Sequence, residues 1–198
     1  FRDERNLAGI GVITGLAWTA LGGAILSVEA VKANEFGRGF KLTGQLGEIM
    51  RESAEIAYDH IQEQANELGA DPGFFREAFI HVPAGATPKD GPSAGITMAA
   101  ALLSLARNQA PRTGVAMTGE LTLTGRVFPV GGIREKVTAA RRAGIMELIL
   151  PADNKGEFEE LPDHIREGIQ VHFAATFAEV VKWVFDQETG KGDRSSTR

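Results

Sequence analysis

The sequence predicts a single α+β domain, and three observations carry that prediction. Short runs rich in β-branched residues alternate with helical segments in no regular order, so a strict βαβ series is not expected. Of 198 residues, 43% are hydrophobic, enough to bury a core without disulfides or metal. Glycine is in excess at 24 residues, which calls for many tight turns between short elements. Residues 1–187 are expected to form the domain, and the polar stretch 188–198 a disordered tail.

The elements follow in order. Residues 10–18 and 24–32 are rich in Ile, Val, Leu and Thr, and Gly22-Gly23 between them supplies a turn, so a hairpin opens the fold. Leu46, Met50, Ala54, Ala57, Ile61, Ala65 and Leu68 then recur every three or four residues among Glu, Arg, Asp and Gln. That is an amphipathic helix, and Gly69 stands where a C-cap glycine belongs. Residues 78–82 read as a short buried strand ended by Pro83, and 85–91 as a loop in which Gly, Pro, Lys and Asp break any period. Residues 93–107 are apolar on nearly every side, the mark of a helix buried on most faces. Short strands are expected at 115–117, 121–123 and 127–130, divided by Gly119 and Gly125. A helix over 133–143 closes at Gly144. Strands at 146–150, stopped by Pro151, and at 171–174 precede a last amphipathic helix over 177–185.

Composition removes several classes of function. With no cysteine there is no disulfide framework, thiolate zinc site or cysteine nucleophile. A net charge of −5 lacks the basic excess of a nucleic-acid surface, so no nucleic acid is expected as partner. No apolar run approaches the roughly 18–20 residues of a membrane span, so no membrane is expected either. No G-x-x-x-x-G-K-[ST] occurs. Gly9, Gly11 and Gly15 miss the dinucleotide fingerprint by one residue and precede a strand rather than a helix. His60, His81, His164 and His172 show no pair at metal-binding spacing, and Glu157, Glu159 and Glu160 read as a solvated face. The chain begins at Phe1 and is expected to be a piece of a longer protein.

One chemical pattern survives. Gly91-Pro92-Ser93-Ala94-Gly95 matches G-x-S-x-G, weak by itself in a glycine-rich chain. Ser93 is expected to open the helix over 93–107, where unpaired N–H groups of the first turn surround its hydroxyl. Two readings stand side by side: a nucleophile beside oxyanion donors, or a simple N-cap. The base is equally open. His164 or His172 would complete an α/β-hydrolase order, although that fold needs more chain before the elbow. Lys136, beside Val137 and near Ala140, could face inward, but composition does not separate it from Lys155 or Lys182.

Longer blocks carry a resemblance. The run Thr87-Pro88-Lys89-Asp90-Gly91-Pro92-Ser93-Ala94-Gly95 resembles the active-site segment of the Lon family of ATP-dependent proteases. Thr118-Gly119-Glu120-Leu121-Thr122-Leu123-Thr124-Gly125-Arg126-Val127, continuing through Gly131-Gly132-Ile133-Arg134-Glu135-Lys136, is similar to its lysine segment. Gly15-Leu16-Ala17-Trp18-Thr19 and Ile149-Leu150-Pro151-Ala152-Asp153-Asn154-Lys155 extend the likeness over almost all of 7–186. The resemblance implies the family's compact single-domain protease fold of short mixed strands with packed helices. It implies a serine endopeptidase with Ser93 as nucleophile, Lys136 as general base and Thr118 bonded to the lysine. Asp90 would lie in the loop that shapes the site, where in some family structures the matching acid blocks the dyad. Gly91, Pro92, Ser93 and Ala94 would supply the backbone around the oxyanion.

No cofactor or metal is implied in this domain; ATP and Mg2+ would belong to an ATPase module outside the chain. Substrates would be unfolded or misfolded proteins and the assembly a hexameric ring, with a bacterial cytoplasm, or else a mitochondrial matrix, as the setting. The alternative is a non-catalytic, ring-forming scaffold, which would be expected to lose the Ser–Lys pair. Phe79 departs from the many members that carry a second histidine two positions before the one matching His81. The mechanism also sets a physical demand. A free lysine near pKa 10.4 must be shifted down by about 2–3 units, roughly 3–4 kcal/mol, so Lys136 should be buried.

Overall fold

The computed structural model of the chain describes residues 9–32, 41–43, 46–71, 73–74, 78–81 and 91–185. Asp90, the rest of the expected loop up to Gly91, and the tail at 188–198 lie outside them. β1 (Val12–Thr19) and β2 (Gly22–Lys32) form the expected hairpin, antiparallel from Val12↔Glu29 to Thr19↔Gly22. The turn falls at Ala20-Leu21 rather than at Gly22-Gly23, which open β2, and Gly22, leaving the turn at φ +109°, requires a glycine. β3 (Lys41–Thr43) precedes α1 (Glu48–Glu63), whose regular part stops short of Leu68. The coil continues as turns, and the Ala70 N–H bonds the Ala65 carbonyl at 2.7 Å around Gly69 at φ +75°. This is a Schellman closure at the glycine that predicted it.

β4 (Ala78–His81) leads, after undescribed residues, to α2 (Gly95–Arg107) and β5 (Val115–Met117). A small hairpin of β6 (Glu120–Leu121) and β7 (Val127–Phe128) comes next, then α3 (Ile133–Arg142). β8 (Glu147–Pro151), α4 (Lys155–Glu159), α5 (Asp163–Arg166), β9 (Gln170–Ala174) and α6 (Phe177–Val184) follow. Among the described residues the main sheet has the order β3-β4-β2-β1-β5-β8-β9. From β4 to β1 neighbours are antiparallel, while β1, β5, β8 and β9 are parallel throughout. The fold is therefore α+β as predicted, with more regularity than the sequence suggests. Parallel neighbours need crossovers, and α3 joins β5 to β8 while α4 and α5 join β8 to β9.

The strand period of two sorts side chains to two cores. Ile13, Leu26, Val28, Met117 and Ile149 face α1, α2 and α6. Leu16, Ala116, Leu148 and Leu150 face the opposite layer, where Ile133, Val137, Phe158 and Ile165 pack from α3, α4 and α5. The two helix layers meet at the C-terminal end of β5, where Thr118 lies between α2 and α3. Among the described residues no helix is long and apolar enough to cross a membrane.

Candidate active site

Lys136 is placed by the helical period. Ile133, Lys136, Val137 and Ala140 fall at i, i+3, i+4 and i+7 on α3 and all are buried, so the lysine occupies a position in the apolar stripe. Only 2% of it is exposed. Two glycines let the β1–β2 hairpin lie directly on this helix. A Cβ at Gly23 would stand 2.0 Å from the Glu135 carbonyl oxygen, and one at Gly132 would stand 2.9 Å from Trp18 Cβ. Gly132 is also the N-cap of α3, at φ +71°.

Thr118 follows β5 and is fully buried. Its N–H donates to the Ile149 carbonyl of β8 at 3.2 Å, which fixes the backbone on which the hydroxyl is carried. Lys136 Nζ donates to Thr118 Oγ1 at 3.1 Å, and Thr118 Oγ1 donates to the Ser93 carbonyl at 3.3 Å. The Gly119 N–H donates to the same Ser93 carbonyl at 2.9 Å. The buried amine is thus linked to Ser93 through a single hydroxyl. Glycine at 95 allows the close approach: a Cβ there would lie 2.8 Å from the Leu121 nitrogen.

The start of α2 differs from the sequence expectation. The helix begins at Gly95 with Ala94 as N-cap, and Ser93 lies in the turn before it. The Gly95 N–H bonds the Pro92 carbonyl at 3.2 Å, and the Ile96 N–H bonds the Gly119 carbonyl at 3.1 Å. The two donors that a Ser93 cap would serve are already engaged, so the N-cap reading fails. Among the described residues the Ser93 hydroxyl makes no hydrogen bond, and no group accepts the N–H of Ser93 or Ala94. Pro92 needs a correction of another kind. As a proline it has no N–H to offer an oxyanion, and its contribution is the carbonyl that holds Gly95.

Burial decides between the lysines. Lys155 and Lys182 are exposed, whereas desolvation lowers the Lys136 pKa from 10.5 to about 8, against an opposing pull from the Glu157 carboxylate. Glu157 is exposed with Glu159 and Glu160, as read from sequence, yet its charge acts on the amine. Among the described side chains, no histidine is placed at Ser93. His172 Nε2 lies 2.8 Å from Glu147 Oε1 and its ring stacks on Trp183, while His164 is exposed on α5. His60 Nδ1 lies 3.1 Å from the Leu123 carbonyl, with the ring edge-on to Phe177. Neither His164 nor His172, the two candidates read from sequence, is placed to serve Ser93 as a base.

The sequence reading missed Asn154, which is 4% exposed and bonded to both backbone groups of Val130. An asparagine in a polar Ala-Asp-Asn-Lys stretch carries no signal of burial. The only hint was its place in a block that resembles the family.

Comparison with known proteins identifies the family. A profile described as the Lon protease (S16) C-terminal proteolytic domain matches residues 1–187. The chain is 58% identical over 187 residues to Lon protease 2 of Hydrogenovibrio crunogenus, covering 93% of this chain and 21% of that protein. It is 55% identical over 186 residues to Lon protease of Magnetococcus marinus, covering 93% of this chain and 23% of that protein. It is 49% identical over 185 residues to the mitochondrial Lon protease homolog of Zea mays, covering 91% of this chain and 19% of that protein. The chain spans about a fifth of the length of these curated relatives.

Proposed function

The chain belongs to the family of Lon protease C-terminal proteolytic domains, and from that premise we propose that it hydrolyses peptide bonds with Ser93 as nucleophile and Lys136 as general base. The observation that carries the reading is the buried Lys136 amine, joined to Ser93 through Thr118. With its pKa at about 8, an appreciable fraction of the amine is neutral near neutral pH and has a lone pair to offer. One N–H of that amine is held by Thr118, which orients the remaining lone pair.

The steps follow. Ser93 Oγ attacks the scissile carbonyl carbon while its proton passes to Lys136 Nζ. The Ser93 and Ala94 N–H groups are the candidate donors to the resulting oxyanion. Collapse breaks the C–N bond, and the leaving amine takes the proton back from Lys136. Water then attacks the acyl-enzyme by the same route and releases the acid. Asp90 is retained as a residue of the loop that shapes access to the site.

In the longer protein, the substrates would be unfolded or misfolded proteins delivered by an ATPase module that binds ATP and Mg2+. The assembly would be a hexameric ring, located in a bacterial cytoplasm or a mitochondrial matrix. Relatives named for bacteria and for mitochondria support both settings. The test is ATP-dependent degradation of an unfolded protein by the full-length enzyme. Ser93→Ala and Lys136→Ala should each abolish cleavage while ATP hydrolysis persists; cleavage surviving Ser93→Ala would overturn the assignment.

A further inference from the structure

Asn154 ends the short 3-10 turn Ala152–Asn154 that follows β8, and it is buried although it is polar. A buried amide must place its donors and acceptor, and here the partners lie in another segment. Asn154 Oδ1 accepts the Val130 N–H at 2.9 Å, and Nδ2 donates to the Val130 carbonyl at 3.0 Å. The side chain thus imitates a paired strand residue, fixing position 130 by both backbone groups. Nδ2 also donates to Glu157 Oε2 at 3.1 Å.

Val130 lies two residues before Gly132, the N-cap of α3, whose carbonyl accepts the Lys136 N–H at 2.9 Å. Thr118, at the other end of the lysine, is tied by its N–H to Ile149 on β8, the strand that leads into Asn154. The result is a closed circuit of Thr118, β8, Asn154, Val130, Gly132 and Lys136, completed by the contact of Nζ with Thr118 Oγ1. Within it the Asn154 clamp joins the lysine-bearing segment to the sheet by side-chain hydrogen bonds.

We propose that Asn154 is a positioning residue for the reaction, which fixes the entry of α3 and thereby the place of the Lys136 amine beside Thr118. The proposal rests on the reading of Lys136 as the base. Displacing a general base by about 1 Å can cost on the order of 100-fold in rate without touching substrate contacts. Asn154→Ala removes the whole clamp. Asn154→Asp is isosteric and keeps acceptance of the Val130 N–H, but turns both donations into repulsions, with the Val130 carbonyl and the Glu157 carboxylate.

The experiment is acylation of Ser93 by a peptidyl electrophile in the full-length protein, resolved into limiting rate, half-saturating concentration and fraction labelled. Asn154→Ala should lower the limiting rate by about 10–100-fold with half-saturation and labelled fraction unchanged, and Asn154→Asp should lower it at least as far. A purely structural role would instead reduce the labelled fraction at an unchanged rate, and that result overturns the proposal. So does a native rate in both variants when Lys136→Ala abolishes labelling. If Asn154→Ala does not fold, the isosteric Asn154→Asp decides alone. If Lys136→Ala itself labels at the native rate, the base assignment fails and the positioning role falls with it.

Discussion

At the scale of one residue, Lys136 carries a cost that the rest of the fold must offset. Its pKa of about 8 in the folded chain lies below the ordinary 10.5, so the unfolded chain binds more protons between those values. Stability from this group is therefore complete above about pH 10.5, falls as pH drops from there to about 8, and stays low at neutral pH. The penalty at pH 7 is about 3 kcal/mol. Lys136→Met keeps the length of the side chain and removes the charge. It is expected to be inactive and yet about 2–3 kcal/mol more stable at pH 7, with the advantage shrinking as pH rises from about 8 and gone by about 10.5, as urea unfolding at several pH values would show. A variant less stable at pH 7 would mean that the amine is better solvated than its burial indicates. The sequence held part of this. Its place beside Val137 and near Ala140 allowed Lys136 to face inward, but the burial that separates it from Lys155 comes with the β1–β2 hairpin packing on α3, which no local pattern records.

At the scale of elements, the seat of α3 on the β1–β2 hairpin sets the geometry of the base. Gly23 faces a backbone atom rather than a flexible side chain, so nothing can swing aside to admit a methyl group. Gly23→Ala should destabilise the domain by about 1–3 kcal/mol or more and slow Ser93 acylation, because the helix must shift at Glu135, next to Lys136. Thermal melting and acylation rate together check this, and a silent variant would show that α3 can move without consequence. The hairpin was legible, although its turn falls at Ala20-Leu21 and Gly22-Gly23 open β2; the contact of Gly23 with α3 was not, since it joins elements distant in sequence. The same limit explains α2. Its apolar composition is plain from Ile96 onward, but whether it starts at Ser93 or Gly95 depends on the Gly119 carbonyl taking the Ile96 N–H. The strands β6 and β7 have two residues each, too short for a period to define their ends.

At the scale of the whole molecule, the sheet joins the antiparallel run β4-β2-β1 to the parallel run β1-β5-β8-β9, with β3 parallel to β4 at the edge, and the candidate site lies where α2 and α3 approach the end of β5. The parallel half was hidden from sequence because its crossovers include helices of only five and four residues. Its far edge is held by Glu147, which accepts from Arg112 and pairs with His172, while Arg112 Nε donates to the Trp183 carbonyl of α6 at 3.0 Å. Burial pushes the Glu147 carboxyl up, but the hydrogen bonds and charges of Arg112 and His172 outweigh it and hold the pKa below its ordinary value. That stabilisation is present above the ordinary carboxylate range and is lost as pH falls through the depressed value. Glu147→Gln should therefore destabilise by about 1–3 kcal/mol at pH 7, and the difference should shrink in acid, as unfolding at both pH values would show.

The pairing of Ser93 with Lys136 is tested by the rate of Ser93 acylation by a peptidyl electrophile from about pH 6 to about pH 10, with Lys136→Ala beside the wild type. The structure predicts a single rise centred at about 8, as the amine loses its proton, and no labelling in the variant. A rate that ignores pH across that range, or labelling of Ser93 that survives Lys136→Ala, would contradict it.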